Sequence, residues 1–366
     1  MSNLLKVVNG VDTGTGIAGY NATLHTTEDQ FIDFFTDNGV VSMGYDFDLP
    51  KSPPHLPHYI KSDLREEAAK VLCDTSGMDK TYFCNSGSEA VESMMKFARK
   101  YQVENGHINN KTIYTLEGAF HGRTYGAMTA STAKPYHSEG FGPLLPEVVS
   151  FINPMFDICW SEAAAVVLTP AKVYGDFQLY DKELLEYIVK KCKEWDVLLC
   201  FDEVQTYLRT GNWWGYQMYK LGIEPDMIAT AKGVAGGFPT GVMLMKEKIA
   251  DTFQMGSHFS TFGANPRSCK GVIEVAKRGE NLLPEINRKG AYIKAQLDKM
   301  GTDPRGKGLI IAFDYEDDSL KLRDRCLEKR LILGVFSSSQ SIKLTPPLTV
   351  TWDEIRTTLD VISECL

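Results

Sequence analysis

Helical and strand-like patterns alternate along the chain from about residue 63 onward. Residues 181–195, "DKELLEYIVKKCKEW", predict a helix that begins behind Asp181 as N-cap. The apolar face of that helix is expected to carry Leu184, Ile188, Cys192 and Trp195. The apolar runs "DVLLCFDEV" (196–204) and "DMIATA" (226–231) predict two buried strands, separated by a short helical segment. This alternation indicates an α/β fold with a mostly parallel sheet.

Each of the two predicted strands leads to a titratable residue. Asp202 ends the first and Lys232 follows the second, 30 residues later, which is close to the length of one strand–helix–strand unit. We expect both at the carboxyl edge of the sheet, where open α/β sheets bind ligands. A buried carboxylate requires a positive partner, and a desolvated lysine has a lowered pKa that suits nucleophilic use. An ordinary surface lysine is the alternative for Lys232.

Glycines surround Lys232 in "ATAKGVAGG" (229–237). They permit close approach to the backbone, and we expect a ligand there.

The segment "NSGSEAVESMMKFARKY" (85–101) predicts the start of an amphipathic helix. Ser86 and Glu89 have the spacing of a capping box, which places Gly87 and Ser88 in the first turn. The free N–H groups of a helix start suit a phosphate. A well-capped helix that binds no ligand is the alternative.

The glycine-flanked loop "GAFHGRT" (118–124) offers an aromatic ring and two basic side chains, Phe120, His121 and Arg123. Arg123 could bind a carboxylate through two hydrogen bonds. Structural or solvated roles are the alternatives for His121 and Arg123.

A different glycine motif, "GTGIAG" (14–19), matches a dinucleotide-binding fingerprint. The residues after it show no helical periodicity, so we predict a glycine-rich β-turn instead.

Composition restricts the remaining possibilities. The 366 residues exceed one typical core and predict a large and a small domain in close contact. The net charge of −8 argues against nucleic-acid or anionic-membrane partners.

The N-terminus lacks a secretory signal pattern, and we expect a cytoplasmic protein. Scattered single cysteines predict no metal site. The Pro-dense stretch 50–59 predicts an extended loop.

A phosphate-suited helix start, an aromatic ring, a buried aspartate and a lysine together match the needs of pyridoxal 5'-phosphate (PLP). With "NSGSEA", "FHGRTYGA", "FDEVQTYLRTGNWWGY" and "HFSTFGANP" in order, the chain resembles class III (ornithine/acetylornithine-type) aminotransferases of PLP fold type I. The resemblance implies a large domain with a seven-stranded sheet covered by helices, over 46–262. It implies a smaller α+β domain from 263–366, joined by the N-terminal segment 1–45.

The resemblance also implies roles for individual residues. Lys232 would form a Schiff base with PLP and shuttle the proton, and Asp202 would pair with the ring nitrogen. Gln205 would contact the ring hydroxyl, with Val204 and Phe120 on the two ring faces and His121 beside them. Gly87 and Ser88 would bind the phosphate, together with Thr261 of a neighbouring subunit. The contact from Thr261 implies a homodimer with shared active sites. Arg123 and Ser260 fall where relatives contact the substrate.

The reaction implied is ping-pong transfer of an amino group from an amino acid or ω-amine to a 2-oxo acid, commonly 2-oxoglutarate. The substrate side departs from the family pattern. Thr169 replaces a carboxylate, Lys172 and Tyr174 take pocket-side positions, and Lys343 replaces an arginine that grips dicarboxylates. These departures favour a specialised donor or acceptor.

Two other functions stay open at this point. The same scaffold could support a racemase, aminomutase or decarboxylase, which would need no 2-oxo acid. A non-catalytic PLP protein is a further alternative, although the presence of both Lys232 and Asp202 disfavours it.

Overall fold

A seven-stranded sheet forms the centre of the larger part of the molecule. The computed structural model describes residues 16–133, 135–172, 177–335 and 340–366. Across the sheet the strands are Lys80–Cys84, Gly241–Met245, Met227–Thr230, Leu198–Asp202, Ala163–Leu168, Thr112–Leu116 and Val148–Phe151. Gly241–Met245 is antiparallel to both neighbours, and the other adjacent pairs are parallel. The prediction of a mostly parallel seven-stranded sheet is therefore confirmed.

Helices cover both faces of this sheet. Successive side chains of strand Gly241–Met245 belong to different apolar clusters. Met243 packs in a cluster with Met94 of one helix, whereas Val242 packs in a second cluster with Val272 of another helix. Burial on both faces explains the unbroken apolar sequence of the strands. The described right-handed α-helices are Asp63–Ser76, Gly87–Glu104, Tyr125–Thr129, Lys182–Trp195, Glu247–Ala250, Pro266–Lys299, Ser319–Glu328 and Trp352–Cys365. A further helical turn, Thr36–Gly39, has φ between 46° and 81° and is left-handed. The 3₁₀ helices are Pro135–His137, Trp160–Glu162, Gly215–Tyr219 and Lys232–Ala235.

The two ends of the chain build two smaller sheets. The first contains Gly16–Tyr20, Thr23–Thr26, Gln30–Asp33 and Leu331–Ile332, so strands from both ends pair with each other. The second contains Arg305–Lys307, Ile310–Asp314, Ser341–Leu344 and Gly334–Val335. This arrangement is the smaller α+β part expected from the two termini. The domain boundaries at 45/46 and 262/263 stay predictions.

The glycine-rich segment 14–19 differs from its prediction where the structure describes it. Residues 14 and 15 lie outside the described part, and Gly16–Tyr20 is a strand rather than a turn. The reversal occurs at Asn21 and Ala22, between this strand and Thr23–Thr26. Asn21 has φ of 51°, a left-handed conformation that asparagine tolerates because its side chain is short and polar. Among residues 16–26, which the structure describes, no helix begins.

The helix predicted over 181–195 is present as Lys182–Trp195, but its buried face is shifted. Leu185, Ile188 and Cys192 are buried, whereas Trp195 is 48% exposed. Trp195 is the last helical residue, and the following Asp196 turns the chain away with φ of 52°. Asp181 occupies the N-cap position without a side-chain capping bond. The segment 50–59 contains neither helix nor strand, as predicted. None of the helices in the described ranges combines the length and apolar character needed to cross a membrane.

The central strands should dominate stability. Ile228 is fully buried, so Ile228→Ala should lower the free energy of unfolding by about 2–5 kcal/mol. Ile152→Ala is the matched control, because Ile152 is 75% exposed and should change that free energy by less than about 0.5 kcal/mol. Urea unfolding followed by circular dichroism measures both. Equal losses in the two variants would contradict this assignment of the core.

Candidate active site

A cavity of about 360 Å³ lies at the carboxyl edge of the seven-stranded sheet. Strands Leu198–Asp202 and Met227–Thr230 pair in parallel with Asp202 opposite Ala229, so Asp202 and Lys232 reach the same edge, as predicted. The cavity wall includes these members of the predicted site: Gly87, Ser88, Phe120, His121, Arg123, Asp202, Val204, Gln205 and Lys232. Residues from distant parts of the sequence therefore meet at one place.

Asp202 is held by two hydrogen bonds. Its Oδ2 lies 2.8 Å from Nδ1 of His121, and its Oδ1 accepts from the Val204 N–H at 3.0 Å. The side chains of Asp202 and His121 are almost completely buried. In the part of the chain that the structure describes, Nε2 of His121 has no hydrogen-bond partner. This arrangement fixes the orientation of the carboxylate, and the sequence had placed His121 nearby without indicating this contact.

Lys232 has an unusual backbone conformation, with φ of 47° at the start of a 3₁₀ helix. Such a conformation is costly for a residue other than glycine and is often found at functional sites. Burial lowers the pKa of the Lys232 ammonium below its ordinary value of 10.5, and Arg209 acts in the same direction. The negative charges of Asp202 and Asp37 oppose that shift. The result is a lysine that gives up its proton more easily than a solvated one.

Two of the three glycines after Lys232 make room for other parts of the protein rather than for a ligand. A Cβ at Gly233 would lie 2.9 Å from Cβ of Ser42, and the Ser42 hydroxyl donates to the Gly233 carbonyl at 2.8 Å. A Cβ at Gly236 would meet the ring of Phe47. Gly237 alone of these three lines the cavity. The N-terminal segment therefore packs against this loop, a long-range contact that local sequence does not reveal.

The helix Gly87–Glu104 points its N-terminus at the cavity. Ser86 caps it by accepting from the Glu89 N–H at 3.3 Å, as predicted. A Cβ at Gly87 would lie 2.8 Å from Cγ2 of Val204, so only glycine fits beside that side chain. The Ser88 hydroxyl accepts from the Arg123 N–H at 3.0 Å and joins this helix start to the loop that carries Phe120 and His121.

Three of the predicted residues that the structure describes are not in the cavity wall. Ser260 accepts from Nδ2 of Asn85 at 3.1 Å, and both it and the exposed Thr261 border a neighbouring hollow. Lys343 is buried, with its Nζ 5.1 Å from the Phe177 ring centroid. Tyr174 lies outside the described residues. The roles of all the predicted site residues stay predictions.

The substituted position Thr169 does line the cavity. Its hydroxyl lies 3.0 Å from that of Tyr180, and both side chains are buried. The Nζ of Lys172 is 5.7 Å from the centroid of the Tyr180 ring. A neutral hydroxyl pair therefore occupies a place where the resemblance implies a carboxylate.

Sequence reasoning missed the segment 36–40. Val40 lines the cavity, and the Asn38 carbonyl accepts from Nε2 of Gln205 at 3.4 Å. The residues "TDNG" are typical of a turn, which was the available signal. Their contact with Gln205 depends on tertiary packing across most of the chain.

The comparisons with known proteins agree with this geometry. Residues 54–366 match the family model described as aminotransferase class-III. The chain belongs to the class III aminotransferases. It is 36% identical over 326 residues to the acetylornithine aminotransferase of Clostridium acetobutylicum, covering 85% of this chain and 83% of that protein. It is 33% identical over 356 residues to that of Aquifex aeolicus, covering 92% of each.

Solved structures support the fold independently. The ornithine aminotransferase of Toxoplasma gondii superimposes with a TM-score of 0.87 at 22% identity, covering 98% of this chain and 91% of that chain. PLP fold type I is therefore the fold of this class III aminotransferase, and PLP is its cofactor.

The residues of the cavity fit PLP. The helix start at Gly87 provides backbone donors for a phosphate, and Asp202 provides a buried carboxylate for a protonated ring nitrogen. Oε1 of Gln205 is buried without a hydrogen-bond partner among the described residues, which suits contact with a ring hydroxyl. Phe120 and Val204 supply apolar contact for a flat ring. Every polar part of the cofactor thus has a candidate group.

The lowered pKa of Lys232 predicts a pH-dependent effect on the cofactor-free protein. Folding disfavours the protonated amine, so Lys232→Met should raise the free energy of unfolding at neutral pH. The gain should be complete below the folded-state pKa and should fade as the pH rises toward 10.5, where the unfolded chain also loses the proton. Urea unfolding at a series of pH values measures it.

Lys321→Met is the control, because Lys321 lies exposed on the helix Ser319–Glu328. If Lys232→Met raises the free energy of unfolding by the same amount at every pH, or lowers it at neutral pH, the result would contradict burial of the charge.

Proposed function

We propose that this enzyme moves an amino group from an amino acid or ω-amine to a 2-oxo acid, with 2-oxoglutarate as the acceptor, by a ping-pong mechanism. The observation that carries the proposal is the meeting of Lys232 and Asp202 in one cavity at the carboxyl edge of the sheet. PLP, when bound, supplies an electron-accepting ring that stabilises negative charge on the donor carbon.

Lys232 has the central role in this proposal. Its amine holds the cofactor between turnovers and, when free, moves a proton away from the donor carbon. The lowered pKa of Lys232 favours this use, because a neutral amine can accept the proton. Asp202 keeps the ring nitrogen protonated, and His121 orients the Asp202 carboxylate through the 2.8 Å contact.

The remaining cavity residues bind and orient the cofactor. Gly87 and Ser88 would hold the phosphate at the helix start, and Gln205 would contact the ring hydroxyl. Phe120 and Val204 would pack against the ring and exclude water from it. These residues would thereby orient the substrate for reaction.

The predicted substrate-binding residues depart more from the family pattern than the predicted cofactor-binding residues do. Arg123 lies exposed at the cavity, with its guanidinium carbon 5.3 Å from the Phe120 ring centroid, where it can meet a carboxylate. By the family resemblance alone, Ser260, Tyr174 and Lys343 would also contact the substrate. Since Thr169 removes a negative charge, we propose a donor or acceptor other than the acetylornithine named in the relatives.

A second copy of the chain completes the site in this proposal. Thr261 lies exposed, next to Phe259 and Phe262, which are 62% and 64% exposed. Exposed aromatic side chains of this size favour burial against a partner. We propose a homodimer in which Thr261 of each subunit contacts the cofactor phosphate of the other.

Nitrogen transfer tests the reaction class. With a donor labelled with nitrogen-15 and 2-oxoglutarate, wild type should yield labelled glutamate, and Lys232→Ala should reduce the rate by more than about 100-fold because it removes the proton carrier. Mass spectrometry of the products measures both. Lys321→Met, remote from the cavity, should retain the wild-type rate.

Turnover of the donor without any 2-oxo acid would instead support a racemase, aminomutase or decarboxylase. Bound PLP with no turnover of any donor would support the non-catalytic alternative.

Mixing two variants tests the shared site. Lys232→Ala and Thr261→Ala should each have low amino-transfer activity alone. For Thr261→Ala, the low activity should result from a loss of cofactor affinity. Refolded together, they should form hybrid dimers with one complete site, restoring about a quarter of the wild-type sites. Cofactor content and amino transfer at low PLP concentration measure the recovery. Mixtures that never exceed the average of the two variants would contradict sharing.

A further inference from the structure

The loop 258–263, which we call the Thr261 loop, is fastened to the helix whose first turn faces the cavity. In the middle of the loop, Ser260 accepts from Nδ2 of Asn85 at 3.1 Å, just before the start of the helix Gly87–Glu104. At the beginning of the loop, His258 contacts the second and third turns of the same helix. The position of Thr261 therefore depends on these two attachments.

The ring of His258 makes a polar contact through each of its nitrogens. Its Nε2 lies 2.7 Å from the Ser93 hydroxyl oxygen, and its Nδ1 lies 2.8 Å from Nζ of Lys96. The ring also packs on that of Tyr82, with 4.7 Å between the centroids. His258 thus joins the Thr261 loop to the helix through two hydrogen bonds.

These partners determine the protonation of His258. The Ser93 hydroxyl donates its single hydrogen to the Glu89 carbonyl at 2.7 Å, so it accepts from Nε2 of His258. The Lys96 ammonium can only donate, so Nδ1 of His258 accepts. The ring is therefore neutral, because a second proton on Nδ1 would point at the ammonium. Burial, and then the charge of Lys96, lower the pKa of His258 below its ordinary value of 6.5.

Other titratable groups border the hollows beside this ring. They are Glu89 and Glu92 from the helix, and Lys80, Tyr82 and Cys84 from the strand Lys80–Cys84. Both carboxylates already accept hydrogen bonds from backbone N–H groups, and Lys80 pairs with a carboxylate. Burial raises the pKa of Tyr82 and of Cys84 to about 12, so both stay neutral. Lys96 is thus the charge that a protonated His258 would meet.

We propose that His258 is a positioning residue for the cofactor, because its neutral ring holds the Thr261 loop where Thr261 reaches the phosphate bound by the other subunit. This inference rests on the shared site of the proposed function. Thr261 lies three residues after His258 and is exposed, so the loop presents its side chain outward. Protonation of His258 would break the contact with Lys96 and loosen the loop. PLP should therefore bind less tightly as the pH falls below about 6.5.

Two substitutions separate the contacts of His258 from its titration. The side-chain amide of glutamine has an N–H donor and a carbonyl acceptor, so His258→Gln can keep both bonds without taking up a proton. His258→Leu keeps neither bond. Equilibrium dialysis gives the dissociation constant of PLP for each protein, at about pH 8 and at about pH 5.5, on either side of the ordinary histidine pKa.

At the higher pH, His258→Leu should bind PLP about threefold to tenfold more weakly than wild type, and His258→Gln should stay within about twofold of it. At the lower pH, His258→Gln should bind PLP about threefold to tenfold more tightly than wild type. Comparison at equal pH cancels the titration of the PLP phosphate itself. Wild-type affinity of His258→Leu at the higher pH, or equal acid losses in His258→Gln and wild type, would overturn the proposal.

His25→Gln is the matched control, because His25 lies on the strand Thr23–Thr26 of a smaller sheet. It should change the dissociation constant by less than about twofold at either pH. Thermal unfolding of each cofactor-free variant, followed by circular dichroism, shows whether the variant is folded. His258→Gln keeps the test decisive if His258→Leu does not fold.

The background Thr261→Ala tests whether His258 acts through Thr261. In that background His258→Leu should weaken PLP binding by less than about twofold, because the contact that it supports is already lost. Equal weakening in both backgrounds would overturn the proposed route. Unchanged PLP affinity in Thr261→Ala alone would overturn the shared site and this inference together. PLP binding is measured without a donor, so a lack of amino transfer would refute the proposed reaction and leave the role of His258 standing.

Discussion

The parallel pairing of strands Leu198–Asp202 and Met227–Thr230 is the constraint on which the site depends. With Asp202 opposite Ala229, the pairing brings a buried carboxylate and a lysine of lowered pKa to one edge of the sheet. Both charges would be costly in an apolar interior without partners. The core that buries these strands therefore also creates the electrostatic conditions for the chemistry.

Other elements keep these two groups in place. His121 fixes one oxygen of Asp202, and the backbone of Val204 fixes the other. On the lysine side, Ser42 bonds to the Gly233 carbonyl, so the N-terminal segment supports the loop that follows Lys232. The cavity is thus stabilised by parts of the chain that are far apart in sequence.

Local patterns predicted much of this site. Periodicity and burial placed Asp202 and Lys232 at strand ends, and the Ser86–Glu89 spacing located the helix start. The role of Gly233 and Gly236 was not predicted because their neighbours, Ser42 and Phe47, approach only in the folded chain. The left-handed turn at 36–39 was missed for the same reason, since Asp33, Thr345 and Arg209 enforce it through tertiary contacts.

The central claim is that Lys232 is the residue that carries the cofactor. Borohydride reduction of the PLP-loaded protein, followed by peptide mass spectrometry, tests this claim most directly because reduction makes the bond to the lysine permanent. We predict that the pyridoxyl group is found on the peptide that contains Lys232 and is absent from it in Lys232→Ala. A pyridoxyl group on a different lysine of the wild-type protein, with Lys232 unmodified, would contradict the account.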